Sequence, residues 1–335
     1  MINYDTDLYD IRFSHPIIYN FIISLSSCLS ILLLLINKLY YKRKNPNKNY
    51  LSIIKENTIT NNIPKLVSKK EKFLWFLLIS IINFCSNILY NKYLNMIFAS
   101  ESYYYLISIL FLSIFSYKIL KYNLYKHHYL GIIIMVVNSI VVIILAYFNS
   151  KDNLYNNKSN IFNDFRKYYL YGLLISITST TLHNLGYVID KYLIFKKYIL
   201  SYEILFFEGI IELAFSIIAL IITTNAGFID NYFDFINKLD RKLAIIIILI
   251  ILFNFIFNSL LITIIDFFSP YYIMLVYISS EIFSSIYMIL TSDVDQYFFI
   301  VFILDLTNFF IDLVFIEVIE INCFGLSYMT KRILK

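Results

Sequence analysis

LAIIIILIILFNFIFNSLLITII, residues 243–265, holds no charged side chain, and only Asn254, Asn258, Ser259 and Thr263 interrupt its apolar run. About 18 or more such residues, rising about 1.5 Å each, are enough to cross the roughly 30 Å hydrocarbon layer as a helix. Eight further apolar segments fall at residues 16–39, 73–90, 103–120, 129–148, 168–189, 200–223, 271–290 and 297–318. Together they predict an all-α integral membrane protein of about nine transmembrane helices. A β-barrel would need short segments of alternating polarity, and these are absent. Composition agrees: 59% of the 335 residues are hydrophobic and 15% charged, with a mean hydropathy of +0.70, whereas a soluble chain carries about a quarter charged residues. The 31 Tyr and 31 Phe accompany heavy use of Ile, Asn and Lys, amino acids with A/T-rich codons. They are read as codon bias and not as an aromatic ligand site.

The connecting segments set an orientation, because Lys and Arg collect in cytoplasmic loops. Residues 40–72 carry Lys42, Arg43, Lys44, Lys48, Lys55, Lys65, Lys69, Lys70 and Lys72 against Glu56 and Glu71. The turns near Lys118–Lys126 and Lys191–Lys197 and the tail at Lys331–Lys335 are basic as well, while Asp5, Asp7 and Asp10 lead the chain. Nine crossings then place the N-terminus on the lumenal side and the C-terminus in the cytoplasm. Residues 1–150 form an N-terminal half of four helices, 151–167 a lumenal loop and 168–335 a C-terminal half of five. The lumenal loop holds Asn157-Lys158-Ser159, a glycosylation sequon. No cleavable signal peptide is expected, since the first apolar stretch is too long for one. Cys28, Cys85 and Cys323 form neither a disulfide framework nor a metal motif.

An ionisable side chain at membrane depth faces the bundle interior or a watery cavity. His183, Glu208, Glu212, Glu281, Asp305 and Asp312 lie deepest. Glu208 and Glu212 are four residues apart and share a helix face. They form either a proton or cation site or, the plainer reading, a polar seam gluing helices together. Asp305 and Asp312 share a face in the same way. His183 is expected to satisfy a neighbour. Asp190-Lys191 lies where the fifth segment leaves the membrane, as a gate or as an interfacial ion pair with a snorkelling lysine. His127-His128 lie in a basic turn where solvation accounts for them. No catalytic motif appears, so neither an enzyme, a cofactor, a metal nor a nucleic-acid partner is expected; the loop lysines already serve orientation.

The third and eighth segments echo each other. Ser100-Glu101-Ser102-Tyr103-Tyr104, then Ile114-Phe115-Ser116, matches Ser269-Pro270-Tyr271-Tyr272, then Ile282-Phe283-Ser284. They lie five segments apart, so the two copies point in opposite directions, the inverted-repeat plan of many secondary transporters.

The chain resembles the drug/metabolite transporter superfamily, and within it the F6-like branch of solute carrier family 35, related to nucleotide-sugar transporters. The resemblance is carried by His15-Pro16, Ala99-Ser100, Phe115-Ser116, Leu130-Gly131-Ile132, Asp190-Lys191-Tyr192 and Glu208-Gly209. It departs at Tyr105-Leu106, where the family has Arg-Gly, and at Ile273, Tyr277 and Ser280, where the family has Arg, Asp and Arg. The family's first helix has no counterpart. The resemblance implies a multi-pass carrier of a small organic solute working by alternating access, in an endomembrane of the Golgi, endosome or lysosome type rather than the plasma membrane. The candidate substrate-binding residues are Ser100, Glu101, Tyr103, Glu208, Glu212, Ser269 and Tyr272, with Asp190 and Lys191 as gate. The departures carry the alternative of a non-transporting membrane protein with a structural or partner-binding role. The expected partners are the lipid bilayer and a solute; homo-oligomerisation is left open.

Overall fold

The computed structural model describes residues 16–44, 67–96, 102–156, 162–225, 241–291 and 296–316. In hydrocarbon a backbone must pair its own N–H and C=O groups, and the helix does this within one segment. The described elements are accordingly helices: α1 Pro16–Cys28, α2 Ser30–Lys44, α3 Lys69–Met96, α4 Ser102–Phe115, α5 Lys126–Asn156, α6 Phe162–Lys197, α7 Ser201–Asn225, α8 Arg241–Phe267, α9 Tyr272–Thr291 and α10 Gln296–Phe315. A π-helical turn, Ser116–Leu120, prolongs α4 and stops at Lys121, whose φ of 62° is left-handed. Ser68 caps α3, its hydroxyl accepting the Glu71 N–H at 3.1 Å, the first half of a Ser-x-x-Glu capping box.

Among the described residues the expected segments fall largely on helix. Seven stretches are long and apolar enough to cross a membrane: Ile17–Tyr40, Lys69–Asn91, Lys126–Leu145, Ser201–Thr224, Arg241–Phe267, Tyr272–Thr291 and Phe298–Phe315. The third expected segment contributes a shorter apolar helix, Ile107–Leu120. The fifth lies within α6, whose centre is studded with Ser176, Thr178, Ser179, Thr180, Thr181, His183 and Asn184.

The first segment is one span made of two helices, α1 and α2, which part at Leu29. Its serines explain the break. Ser24 donates its hydroxyl to the Asn20 carbonyl at 2.8 Å, and Ser26 donates to Ile23 at 2.5 Å. Such back-bonding competes with the helical ladder and bends it. The Leu29 N–H then reaches Ser26 and the Leu32 N–H reaches Leu29, at 3.1 and 3.0 Å.

Packing groups the chain into two units, each assembled from two separate stretches of the sequence. The first holds residues 1–88 and 189–267, the second 89–188 and 268–335. In the first, α1 lies along α7, with α8 against both and α2 against α7. Ile18, Ile22 and Leu220 form a core there, covered by Ile17, Phe21, Leu243, Ile247 and Ile251. In the second, α5 packs on α10 and α4, and α9 packs on α10 and α4. One regularity runs through both: the first segment packs on the sixth (α1 on α7), the third on the eighth (α4 on α9) and the fourth on the ninth (α5 on α10).

The outward faces are apolar. On α8, Phe253 is 69% exposed, and Ile245, Ile248, Leu252 and Ile256 are exposed beside it. In water these side chains would be a large hydrophobic patch; against lipid tails they are solvated.

Candidate functional site

On α7, Glu208, Glu212 and Ser216 recur every four residues and so line one face. On α1, Asn20, Ser24 and Ser27 recur at the same helical spacing. The two faces meet. Gly209 lies on the backbone of Ser27 and Cys28, where an added Cβ would stand 2.8 Å from the Cys28 nitrogen. One turn on, Glu212 is within hydrogen-bonding reach of Ser24. Numbers rise on one helix as they fall on the other, so the pair is antiparallel and Ser216 comes level with Asn20. Glycine at the crossing permits this approach, as small residues do between membrane helices.

Two further helices of this unit join the seam. The Asn87 amide of α3 donates to the Asn20 side-chain oxygen at 3.4 Å, and the Asn258 amide of α8 donates to the Ser27 hydroxyl at 3.3 Å. Asp190, near the end of α6, is within hydrogen-bonding reach of Glu208. Asp190, Glu208 and Glu212 are each 5% exposed. One oxygen of Asp190 and one of Glu208, the Asn20 amide nitrogen and the Ser216 hydroxyl have no hydrogen-bond partner among the described residues.

Lys191 does not pair with its neighbour. Its ammonium donates to the carbonyls of Ile265 and Asp266 at 2.7 and 2.8 Å, at the C-terminal end of α8, where backbone carbonyls lack helical partners and the dipole favours a cation. At 6% exposed it is buried rather than snorkelling, which replaces the expected Asp190–Lys191 ion pair. The ion pairs near this end are others: Lys72 with Glu203 and Lys197 with Glu71, both at 2.6 Å. The Glu71 carboxylate beside Lys197 holds that ammonium's pKa above its ordinary value.

The second unit has polar seams of its own. The His183 ring nitrogen meets the Tyr187 hydroxyl at 2.6 Å, and that hydroxyl meets Tyr277 at 2.5 Å, so His183 does satisfy a neighbour. Asn138 of α5 donates to Asn308 of α10 at 2.7 Å. Asp305 and Asp312 flank Asn308 on the same face, and all three are buried. Both Asp312 oxygens lack a partner among the described residues. A double-mutant cycle with Asn138→Leu and Asn308→Leu, read by denaturant titration in detergent, is expected to give a coupling of about 0.6 kcal/mol, typical of interhelical bonds in membranes. His127 and His128 correct the solvated reading: they are 4% and 8% exposed. Their rings stack at 4.0 Å and the edge of Phe315 closes on His128 at 4.7 Å. A residue from a distant helix, invisible to neighbour spacing, buries them.

Of the expected site residues, Glu208, Glu212, Asp190 and Lys191 belong to the first unit, the carboxyls in one cluster. Ser269 and Tyr272 are half-buried in the second unit, with the Tyr272 ring 4.9 Å from Phe268. Ser100, Glu101, the Tyr103 side chain and Asn157 lie outside the described residues, as do most of the basic 40–72 segment and of the 151–167 loop. The reading of α7 alone missed Asn20, Ser24 and Ser216; their repeat at helical spacing was the signal available.

Long apolar helices, lipid-suited outer faces and polar residues turned inward define an integral, multi-pass membrane protein. No family model matches the chain, and no curated protein matches it.

Proposed function

We propose that this protein is a secondary carrier of the drug/metabolite transporter type, moving a small organic solute across an endomembrane by alternating access. The observation that carries the reading is the packing of the first, third and fourth segments each on the segment five further along. In an inverted repeat, equivalent helices of the two halves meet about a pseudo-two-fold axis, and an offset of five is the offset of the sequence echo. Polar groups buried at membrane depth support it. The excess of Lys and Arg in the connecting segments supports an N-terminus in the lumen and a C-terminus in the cytoplasm. Glu208 and Glu212 serve the solute by hydrogen bonding or charge compensation, with Ser100, Glu101, Tyr103, Ser269 and Tyr272 as further contacts and Asp190 and Lys191 at the gate.

The test is thermal stabilisation of the purified protein by anionic metabolites, nucleosides, lipids and small cations. A true solute at a hundred times its Kd adds about 2.7 kcal/mol. Glu208→Gln and Glu212→Gln are expected to weaken that binding about ten- to a hundredfold, the worth of a charge-assisted hydrogen bond. A second reading, a non-transporting membrane protein, draws on α9. Ile273 is fully buried and the Tyr277 hydroxyl is bonded to Tyr187, so two positions where the resembling family carries charge serve packing here. Absence of stabilisation by every solute class favours that reading.

A further inference from the structure

We propose that Asp190, Glu208 and Glu212 hold an exchangeable proton inside the membrane, in a hydrogen-bonded seam that Ser24, Asn20 and Ser216 continue between α1 and α7. The proton site stands on the placement and burial of these side chains; that this proton drives solute movement rests on the carrier reading above.

Two carboxyl groups within hydrogen-bonding reach, as Asp190 and Glu208 are, need a proton between them, because carboxylate oxygens only accept. Glu212 lies one turn further along the same buried face. Its partner Ser24 has one hydroxyl hydrogen, and that hydrogen is committed to the Asn20 carbonyl at 2.8 Å. While Ser24 bonds this way it offers Glu212 only an acceptor, and a proton on Glu212 completes the contact. Beyond the carboxyls, the Ser216 hydroxyl is fully buried, lies one turn from Glu212 on the same face, and has no partner among the described residues; the Asn20 amide nitrogen is likewise buried and unpaired. The Ser216 hydroxyl, left open beside the carboxyls, can relay a proton or hold a bridging water, and the Asn20 NH2 can donate to that water.

Among the described residues no three of His, Cys, Asp and Glu are arranged to hold a metal ion. The groups facing the cluster are also acidic or neutral: Asp190 of α6 faces Glu208, and Cys28 of α1 faces Glu212. Lys191 is turned to the carbonyls ending α8, next to Asp266. From α3 comes the Lys72–Glu203 pair at the start of α7; Lys38 of α2 is exposed, and Arg43, Arg241 and Lys242 belong to the terminal turns of α2 and α8. Three carboxylates without a counter-charge in so dry a place would repel one another, so protonation is the state that removes the cost.

Infrared spectroscopy of the purified full chain reads this directly. At neutral pH the wild type is expected to show the carbonyl stretch of protonated carboxylic acid, shifted on transfer to deuterium oxide and lost as the pH is raised. Glu208→Gln and Glu212→Gln are each expected to remove part of that band. An acid band that is absent at neutral pH in the wild type, or present but unchanged in both variants, overturns the proposal. The wild-type titration stands even where a variant fails to fold. The measurement reads the proton and not transport, so its failure leaves the carrier reading intact, and a failed solute screen leaves the proton site intact.

Discussion

Replacing Gly209 by alanine is expected to lower the melting temperature of the purified protein more than any other single-methyl substitution in α7. The new Cβ would fall 2.8 Å from both the Cys28 nitrogen and the Ser27 Cβ, and 2.9 Å from the Ser27 carbonyl carbon. Two of those atoms are backbone, so no rotamer change relieves the clash; α1 and α7 must separate. Separation thins the contact around Ile18, Ile22 and Leu220 and draws Ser24 away from Glu212. Overpacking of this kind costs about 1–3 kcal/mol. Gly131 offers the control, since its added Cβ would meet the Phe315 ring at 3.2 Å, a side chain that can give way. Thermal unfolding in detergent, with Gly131→Ala beside Gly209→Ala, checks the ranking. Equal melting temperatures for Gly209→Ala and wild type would show that the α1–α7 crossing is looser than this packing requires.

Lys191→Met is expected to have the other large effect. The ammonium is buried and donates to two carbonyls at the end of α8. Methionine keeps most of the stem's volume and removes both donors, leaving acceptors and a helix-terminal dipole without a partner. Hydrogen bonds from a charged group are worth about 1.5–3 kcal/mol each, and desolvation of the ammonium, now avoided, offsets part of the loss. A net cost of about 2 kcal/mol is expected, with Lys191→Arg recovering some of it. Denaturant titration in detergent measures both variants. A methionine variant as stable as wild type would show that Lys191 takes no part in holding α8.

The apolar spans were legible because lipid imposes a simple demand: residues 243–265 must be apolar throughout, whatever their neighbours. What stayed hidden depends on residues far apart in the chain. The break at Leu29 comes from serine hydroxyls turning back on the carbonyls of Asn20 and Ile23, beside the close approach of Gly209. The Asp190–Glu208 contact joins the ends of α6 and the middle of α7, which helical spacing does not relate. The burial of His127 and His128 needs Phe315, nearly two hundred residues on. Lys191 was read with its sequence neighbour, but a helix turns adjacent side chains about 100° apart, and α8 was the nearer partner.

The carrier reading is tested most directly by solute movement. The purified protein, reconstituted in liposomes, is expected to take up one class among anionic metabolites, nucleosides, lipids and small cations in a saturable way, and faster when the same solute is preloaded inside, the signature of alternating access. Uptake equal to that of protein-free liposomes for every class, with wild-type folding verified by its melting curve, would contradict it.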